Sequence, residues 1–246
     1  MRGPGWPATV ERDRPPRAAP TAPLDIAVVD YGAGNLVSIE QALTSVGATV
    51  RIVRDAAGLA AAGATALVVP GVGAAAPAME RLARHGLVEP IRAWIAAGRP
   101  FLGICLGLQL LFEGSDEDGA TTLGILRGRT ARLEDAPTLP HIGWNQVDRR
   151  RDHPLFAGIA DGADLYFVHS YAGLPARGLD DPVVLAVTEH GRPFVSAVAR
   201  GPLLGVQFHP ERSGEDGLRL LANFVAFARD ASSATGPGTL QTAVTA

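Results

Sequence analysis

The 246 residues carry 22 basic and 25 acidic side chains, a formal charge of −3 and 47% hydrophobic residues. This composition suits one large packed domain and lacks the clustered basic face of a nucleic-acid binder. All 22 basic side chains are arginine, which excludes lysine Schiff-base chemistry and the Gly-Lys-Ser/Thr phosphate loop. The single cysteine, Cys105, cannot form an internal disulfide. No apolar run approaches the ~18 residues of a membrane span, so a cytoplasmic setting is expected.

Residues 1–23 are rich in Pro, Ala and Arg with no periodic apolar face. They read as a disordered leader, or as translation from an upstream start codon. A mitochondrial presequence is the functional alternative, against which the prolines, Glu11 and Asp13 weigh. Strand patterns at 24–30, 49–53, 66–69 and 101–104 alternate with helical ones at 36–46, 79–84, 88–97 and 106–112. This rhythm predicts an α/β fold, an open, mostly parallel sheet with helices on both faces. Runs at 165–168, 183–188, 194–199 and 203–208 are strand-like and separated by Gly and Pro, which predicts hairpins and a mixed sheet there. A final helix at 217–228 would bury Leu218, Leu221, Phe224, Val225 and Ala228. Residues 231–246 read as a flexible tail, leaving one domain over 24–230.

Cys105 stands in Gly103-Ile104-Cys105-Leu106-Gly107, between the strand pattern at 101–104 and the helical pattern. A nucleophile on a sharp strand-to-helix turn needs small neighbours, and a helix N-terminus beside the sulfur favours thiolate. A lone cysteine is more often inert core; the glycine-flanked placement reverses that reading. His209 and Glu211 lie two positions apart, so in extended geometry both side chains leave one face. Glu211 can then orient the imidazole while its other nitrogen takes the thiol proton. Pro70-Gly71-Val72-Gly73 ends the strand at 66–69. Its glycines let backbone N–H groups turn toward a developing oxyanion, with the N–H of Leu106 as partner donor to that of Gly73. Two glycine patterns imitate a dinucleotide site: Gly32-Ala33-Gly34 with Asp55 as the ribose acid, and Gly71 to Ala76. The first has Val37 where a small residue belongs, and the second lacks the acid. No histidines or carboxylates stand at metal-ligand spacing around the cysteine, so no metal is expected.

Together these motifs resemble the class I (triad) glutamine amidotransferases, which use a G-x-C-x-G elbow and a His-x-Glu pair. Pro140-His141-Ile142-Gly143-Trp144-Asn145, Tyr166-Phe167-Val168-His169-Ser170-Tyr171 and the run from Gly205 to Gly214 are similar to the glutaminase subunits of imidazole glycerol phosphate synthase. So are the opening Asp30-Tyr31-Gly32-Ala33-Gly34-Asn35-Leu36 and Pro70 to Gly73. The resemblance implies a flavodoxin-like, class I amidotransferase-like sheet without a cofactor. It makes Cys105 the nucleophile on the side-chain amide of glutamine, His209 the base and Glu211 its support. Gln109, Glu117, Ser170 and Tyr171 match substrate-binding positions, although the family's Ser-Glu-Glu is Ser115-Asp116-Glu117 here. The ammonia would pass to a cyclase subunit in trans, at an interface that includes Asn35, Trp144, Tyr166 and Arg212. Reorientation of the Val72–Gly73 peptide is the implied activation step.

Three alternatives stay open from sequence. The chain could feed ammonia to another acceptor, as glutaminases of pyridoxal phosphate or anthranilate synthases do. It could be a catalytically silent binding module or a cysteine peptidase on a related sheet. Trp144 could be plain core.

Overall fold

The computed structural model describes residues 23–234. In chain order these form β1 (Leu24–Val29), α1 (Leu36–Ser45), β2 (Ala48–Val53), α2 (Ala56–Ala61), β3 (Ala66–Gly71), α3 (Ala75–Arg84), α4 (Val88–Ala96), β4 (Phe101–Cys105) and α5 (Leu106–Gln109). There follow β5 (Gly114–Ser115), β6 (Gly128–Arg132), β7 (His141–Arg149), β8 (Ala163–His169), β9 (Tyr171–Pro175), β10 (Val184–His190), β11 (Arg192–Arg200), β12 (Leu203–Val206) and α6 (Gly214–Ala234).

One sheet of nine strands runs in the order β2-β1-β3-β4-β12-β11-β10-β7-β8, and β5-β6-β9 form a second, small sheet. The strands from β2 to β12 in that order are parallel. Beyond β12 the pairing is antiparallel through β11, β10, β7 and β8. Every residue of β3, β4 and β12 is buried, as strands covered on both faces require. Alternate residues feed two cores. Ile26, Val28, Leu102 and Ile104 pack with Ile39 and Leu43 of α1 and with Leu221 and Phe224 of α6. Ala27, Val29, Leu67 and Phe101 pack with Leu59, Leu82, Ile91 and Trp94 from α2, α3 and α4. Helices therefore cover both faces, as the βα rhythm predicts.

Three local expectations are corrected. In α6 the buried set is Leu220, Leu221, Phe224, Val225 and Ala228, whereas Leu218 is 38% exposed. The apolar stripe at helical spacing passes through Gly217 and Leu220 and leaves Leu218 beside it. The same helix runs on through residues 231–234, the first part of the expected tail. The rest of the tail and residues 1–22 of the leader lie outside the described residues. The helix after Cys105 is a single turn: its last carbonyls, of Leu108 and Gln109, accept only three residues on, from Leu111 at 3.0 Å and Phe112 at 3.3 Å, and the loop that follows takes the carbonyls beyond it. Leu123 N–H donates to Leu110 O at 2.9 Å and Gly124 N–H to Phe112 O at 2.8 Å. Asp55 is the N-cap of α2, accepting from Gly58 N–H at 2.7 Å, which gives the acid after the second strand a structural role.

Candidate active site

Cys105 closes β4 with φ 53° and ψ −107°, a left-handed backbone that costs a non-glycine residue about 1–3 kcal/mol. The glycines around it are required by contact. A Cβ on Gly103 would stand 2.5 Å from Gly107 O, and one on Gly107 would stand 1.8 Å from Val69 O. The single turn of α5 thus presses onto the sheet and aims Cys105 off its end. One turn carries little dipole, so the stabilising partner of the sulfur is sought across the sheet.

That partner comes from β12, which lies parallel to β4 with Val206 opposite Ile104. The chain continues into Gln207, Phe208 and His209 alongside the cysteine. Gln207 Nε2 donates to Cys105 Sγ at 3.5 Å. His209 is clamped by its backbone: its N–H donates to Tyr166 O at 2.8 Å, and Ser213 Oγ donates to its carbonyl at 2.7 Å. The ring Nδ1 lies 2.8 Å from Glu211 Oε1, both side chains being nearly inaccessible. A carboxylate accepts there, so Nδ1 carries the proton and Nε2 is left as the base. The pairing arises otherwise than by the extended geometry expected from sequence. A 3-10 turn over Pro210–Arg212 folds Glu211 back under the ring.

Burial alone lowers the His209 pKa, but the Cys105 sulfur and the Glu211 carboxylate outweigh it and raise the imidazole to about 10. Among the described residues, Nε2 makes no hydrogen bond of acceptable geometry. The sulfur is therefore in electrostatic reach of an imidazole not yet aligned with it, a common state before substrate tightens a catalytic pair.

Cys105 opens onto a hollow of about 210 Å3 that is also lined by Gly73, Gln109, Glu117, Ser170 and Tyr171. All four substrate positions expected from sequence thus meet at the nucleophile, and the volume is below the ~300–1,000 Å3 of drug-sized pockets. Gln109 is fixed by its own amide, whose Nε2 donates to Tyr171 O at 2.7 Å and Gln207 Oε1 at 3.1 Å. Partial burial, and then Asp118, raise the Glu117 pKa above the ordinary carboxylate value. Leu106 is buried at the start of α5, and Gly73 has φ +90° with open space about its Cα.

Sequence reasoning missed Gln207 and two buried histidines. His169 completes the pocket wall together with Pro140 and Val168. Its Nδ1 lies 2.9 Å from Tyr171 O, and its Nε2 lies 3.2 Å from His141 Nδ1. His141 Nε2 in turn lies 3.1 Å from Asn145 Nδ2. A carbonyl and an amide nitrogen at the two ends fix both tautomers: each ring donates from Nδ1 and accepts at Nε2. The histidines stood in two quoted motifs, yet their pairing depends on β7 lying beside β8, with His141 opposite His169. Burial, with His190, lowers His141 to about 4; burial lowers His169 to about 3 against its hydrogen bond to Tyr171.

The four interface candidates lie together only in part. Trp144 is 56% exposed, which removes the core reading. Its ring meets Tyr166 edge-on at 6.0 Å, and the Arg212 guanidinium lies 4.2 Å from the Tyr166 centroid. Asn35 is exposed at the start of α1, where its side chain accepts from Ser38 N–H at 3.3 Å.

Residues 27–227 match the family described as glutamine amidotransferase class-I, and the chain belongs to that family. Within it, the chain is similar to the imidazole glycerol phosphate synthase subunit HisH of Symbiobacterium thermophilum, 52% identical over 200 residues, covering 81% of this chain and 92% of the relative. The HisH subunit of Chloroflexus aurantiacus is 49% identical over 205 residues, covering 81% and 94%. Among solved structures, PurLQS from Thermotoga maritima shares the fold at a TM-score of 0.64 and 18% identity, covering 83% of this chain and 99% of that one. The crystal structure of a glutamine amidotransferase does so at 0.63 and 22%, covering 82% and 98%.

The histidines give the stability a defined pH dependence. Folded His141 and His169 titrate below the ordinary 6.5, so on acidification the unfolded chain binds protons first and stability falls from about pH 6.5 downward. His209 acts in the opposite sense: its contribution is complete below about 6.5 and is lost as pH rises through about 10. Denaturant unfolding between about pH 4 and pH 7 should give a flatter acid limb for His169→Gln than for the parent. Equal slopes would contradict the buried, neutral assignment.

Proposed function

We propose that this chain is the glutaminase subunit of imidazole glycerol phosphate synthase, in histidine biosynthesis. The observation that carries the reading is the buried His209–Glu211 pair on the strand next to Cys105, facing a pocket sized for one amino acid. Identity of about half to named HisH subunits over most of both chains supports the particular synthase. It favours that acceptor over the other ammonia users.

His209 holds the proton of Cys105 on Nε2 at neutral pH, since its pKa is raised to about 10, and the thiolate of Cys105 attacks the side-chain carbonyl carbon of glutamine. The N–H groups of Gly73 and Leu106 hold the oxyanion. Collapse of the tetrahedral intermediate breaks the C–N bond, and His209 returns the proton to the leaving nitrogen as ammonia departs. Water, deprotonated by the same imidazole, then cleaves the thioester to glutamate and restores the thiol. Glu211 holds the ring and stabilises its cationic form throughout. Gln109, Ser170 and Tyr171 enclose the substrate, and Glu117 faces its α-ammonium; Asp116, the position at which the chain departs from the family's glutamate, pairs instead with Arg129 at 2.8 Å.

Ammonia released into water near neutral pH would be protonated and lose its lone pair, so a dry passage to the cyclase subunit conserves it. Trp144, Tyr166 and Arg212 form an aromatic-arginine group suited to an interface centre, with Ile142 exposed on the same strand as Trp144; Asn35 would join the interface from the exposed start of α1. Cyclase binding turns the Val72–Gly73 peptide so that the Gly73 N–H enters the oxyanion hole. A cytoplasmic setting fits a single, free and buried cysteine.

Cys105→Ala is expected to abolish glutamine-dependent synthesis in the assembled pair while ammonium salts still support turnover. Loss of both activities with the complex intact would overturn the division of labour. Trp144→Ala should weaken cyclase binding at least about tenfold in a titration. An unchanged dissociation constant would remove Trp144 from the interface.

A further inference from the structure

Tyr31 follows β1 and is 1% exposed. Among the described residues its hydroxyl is one of the few buried side-chain polar atoms without a hydrogen-bond partner. A phenylalanine would fill the same space without burying an unpaired hydroxyl, which is disfavoured in an apolar interior. The ring alone does not account for the tyrosine.

The hydroxyl rests on the backbone that leads to the candidate oxyanion hole. A Cβ on Gly71 would stand 1.9 Å from Tyr31 Oη and 3.2 Å from Leu106 Cβ. Gly71 is paired with Cys105 across β3 and β4. Tyr31 therefore touches the strand end two residues before Gly73, beside the residue that follows the nucleophile. Burial, and next the Cys105 sulfur, push its pKa up, opposed by Arg81. It remains a neutral donor at working pH.

In a trans peptide the N–H and C=O point in opposite directions. Turning the Gly73 N–H toward the pocket turns the Val72 carbonyl the other way, off the pocket side, where it can accept from a protein donor. Gly73, with φ +90° and nothing within 4 Å of a built Cβ, gives the peptide room to turn. We propose that Tyr31 is a positioning residue whose hydroxyl donates to the carbonyl exposed by this rotation. It lies unpaired in the arrangement described here and favours the glutaminase-competent one. The inference rests on the reading of Gly73 as an oxyanion donor and assigns that donor its support.

The test measures glutamate release by the complete synthase during turnover of its ribotide substrate, for Tyr31→Phe, Gly73→Ala and the double variant. Tyr31→Phe should lower kcat about 5- to 100-fold, with KM within about twofold and a melting temperature equal to the parent's or higher. In the Gly73→Ala background the same change should cost less than about twofold, since both act on one peptide. A kcat within about twofold of the parent, with Gly73→Ala impaired, would overturn the role of Tyr31 alone. A lowered melting temperature or raised KM that accounts for the loss would do the same, making the hydroxyl structural. Full activity of Gly73→Ala would instead remove the oxyanion reading, and this inference with it.

Discussion

The site depends on the parallel pairing of β4 with β12, which sets Gly103 opposite Gly205 and Ile104 opposite Val206. Strands distant in sequence thereby end at one edge of the sheet, where ligand chemistry gathers in open α/β folds. The two facing glycines are a steric condition of that pairing. A Cβ at Gly103 would press on Gly107 O, and one at Gly205 would stand 2.5 Å from Leu108 Cδ1. Either side chain would lift the helical turn after Cys105 from the sheet and part the sulfur from the imidazole. The glycines of the elbow are thus explained by contacts measured in tenths of an ångström.

Around this pairing the protein tolerates several locally unfavourable features. Cys105 has a strained backbone, and, among the described residues, His209 Nε2 and Glu211 Oε2 are buried without partners. Each costs on the order of 1–3 kcal/mol. The two cores that cover the faces of a nine-stranded sheet offset them. The hydrogen bonds that clamp the His209 backbone come from other neighbours, notably Tyr166 and Ser213. Tyr166 also carries Arg212 on its face and Trp144 at its edge. One short segment therefore joins the exposed aromatic group to the base, a direct route by which a docked partner can act on catalysis.

The first half of the fold was legible because both faces of its strands are covered. Continuous apolar runs such as Ala66 to Val69, broken by helical periodicity, admit few other readings. The strand β7 escaped, since its exposure alternates and it carries Gly143 and Trp144. Leu218 was misassigned because an amphipathic stripe is fixed by the whole helix and a single leucine one step off it carries no mark. The candidate triad was legible through the Gly103–Gly107 elbow and the His209–Glu211 spacing, and the four pocket residues only through resemblance to a family. The His141–His169 pair and Gln207 were hidden, because their meaning comes from neighbours brought by strand pairing. Tyr31 stands inside a motif, and its contact with Gly71 is a tertiary fact with no local signature.

The central claim is that His209 takes the proton from Cys105. The most direct measurement is the rate at which an electrophilic glutamine analogue alkylates Cys105 in the assembled synthase, for the parent and for His209→Asn. A fall of about 10²–10⁴-fold with analogue binding preserved is the result this account requires. Equal rates in the two proteins would contradict it, since the sulfur would then react without the imidazole beside it.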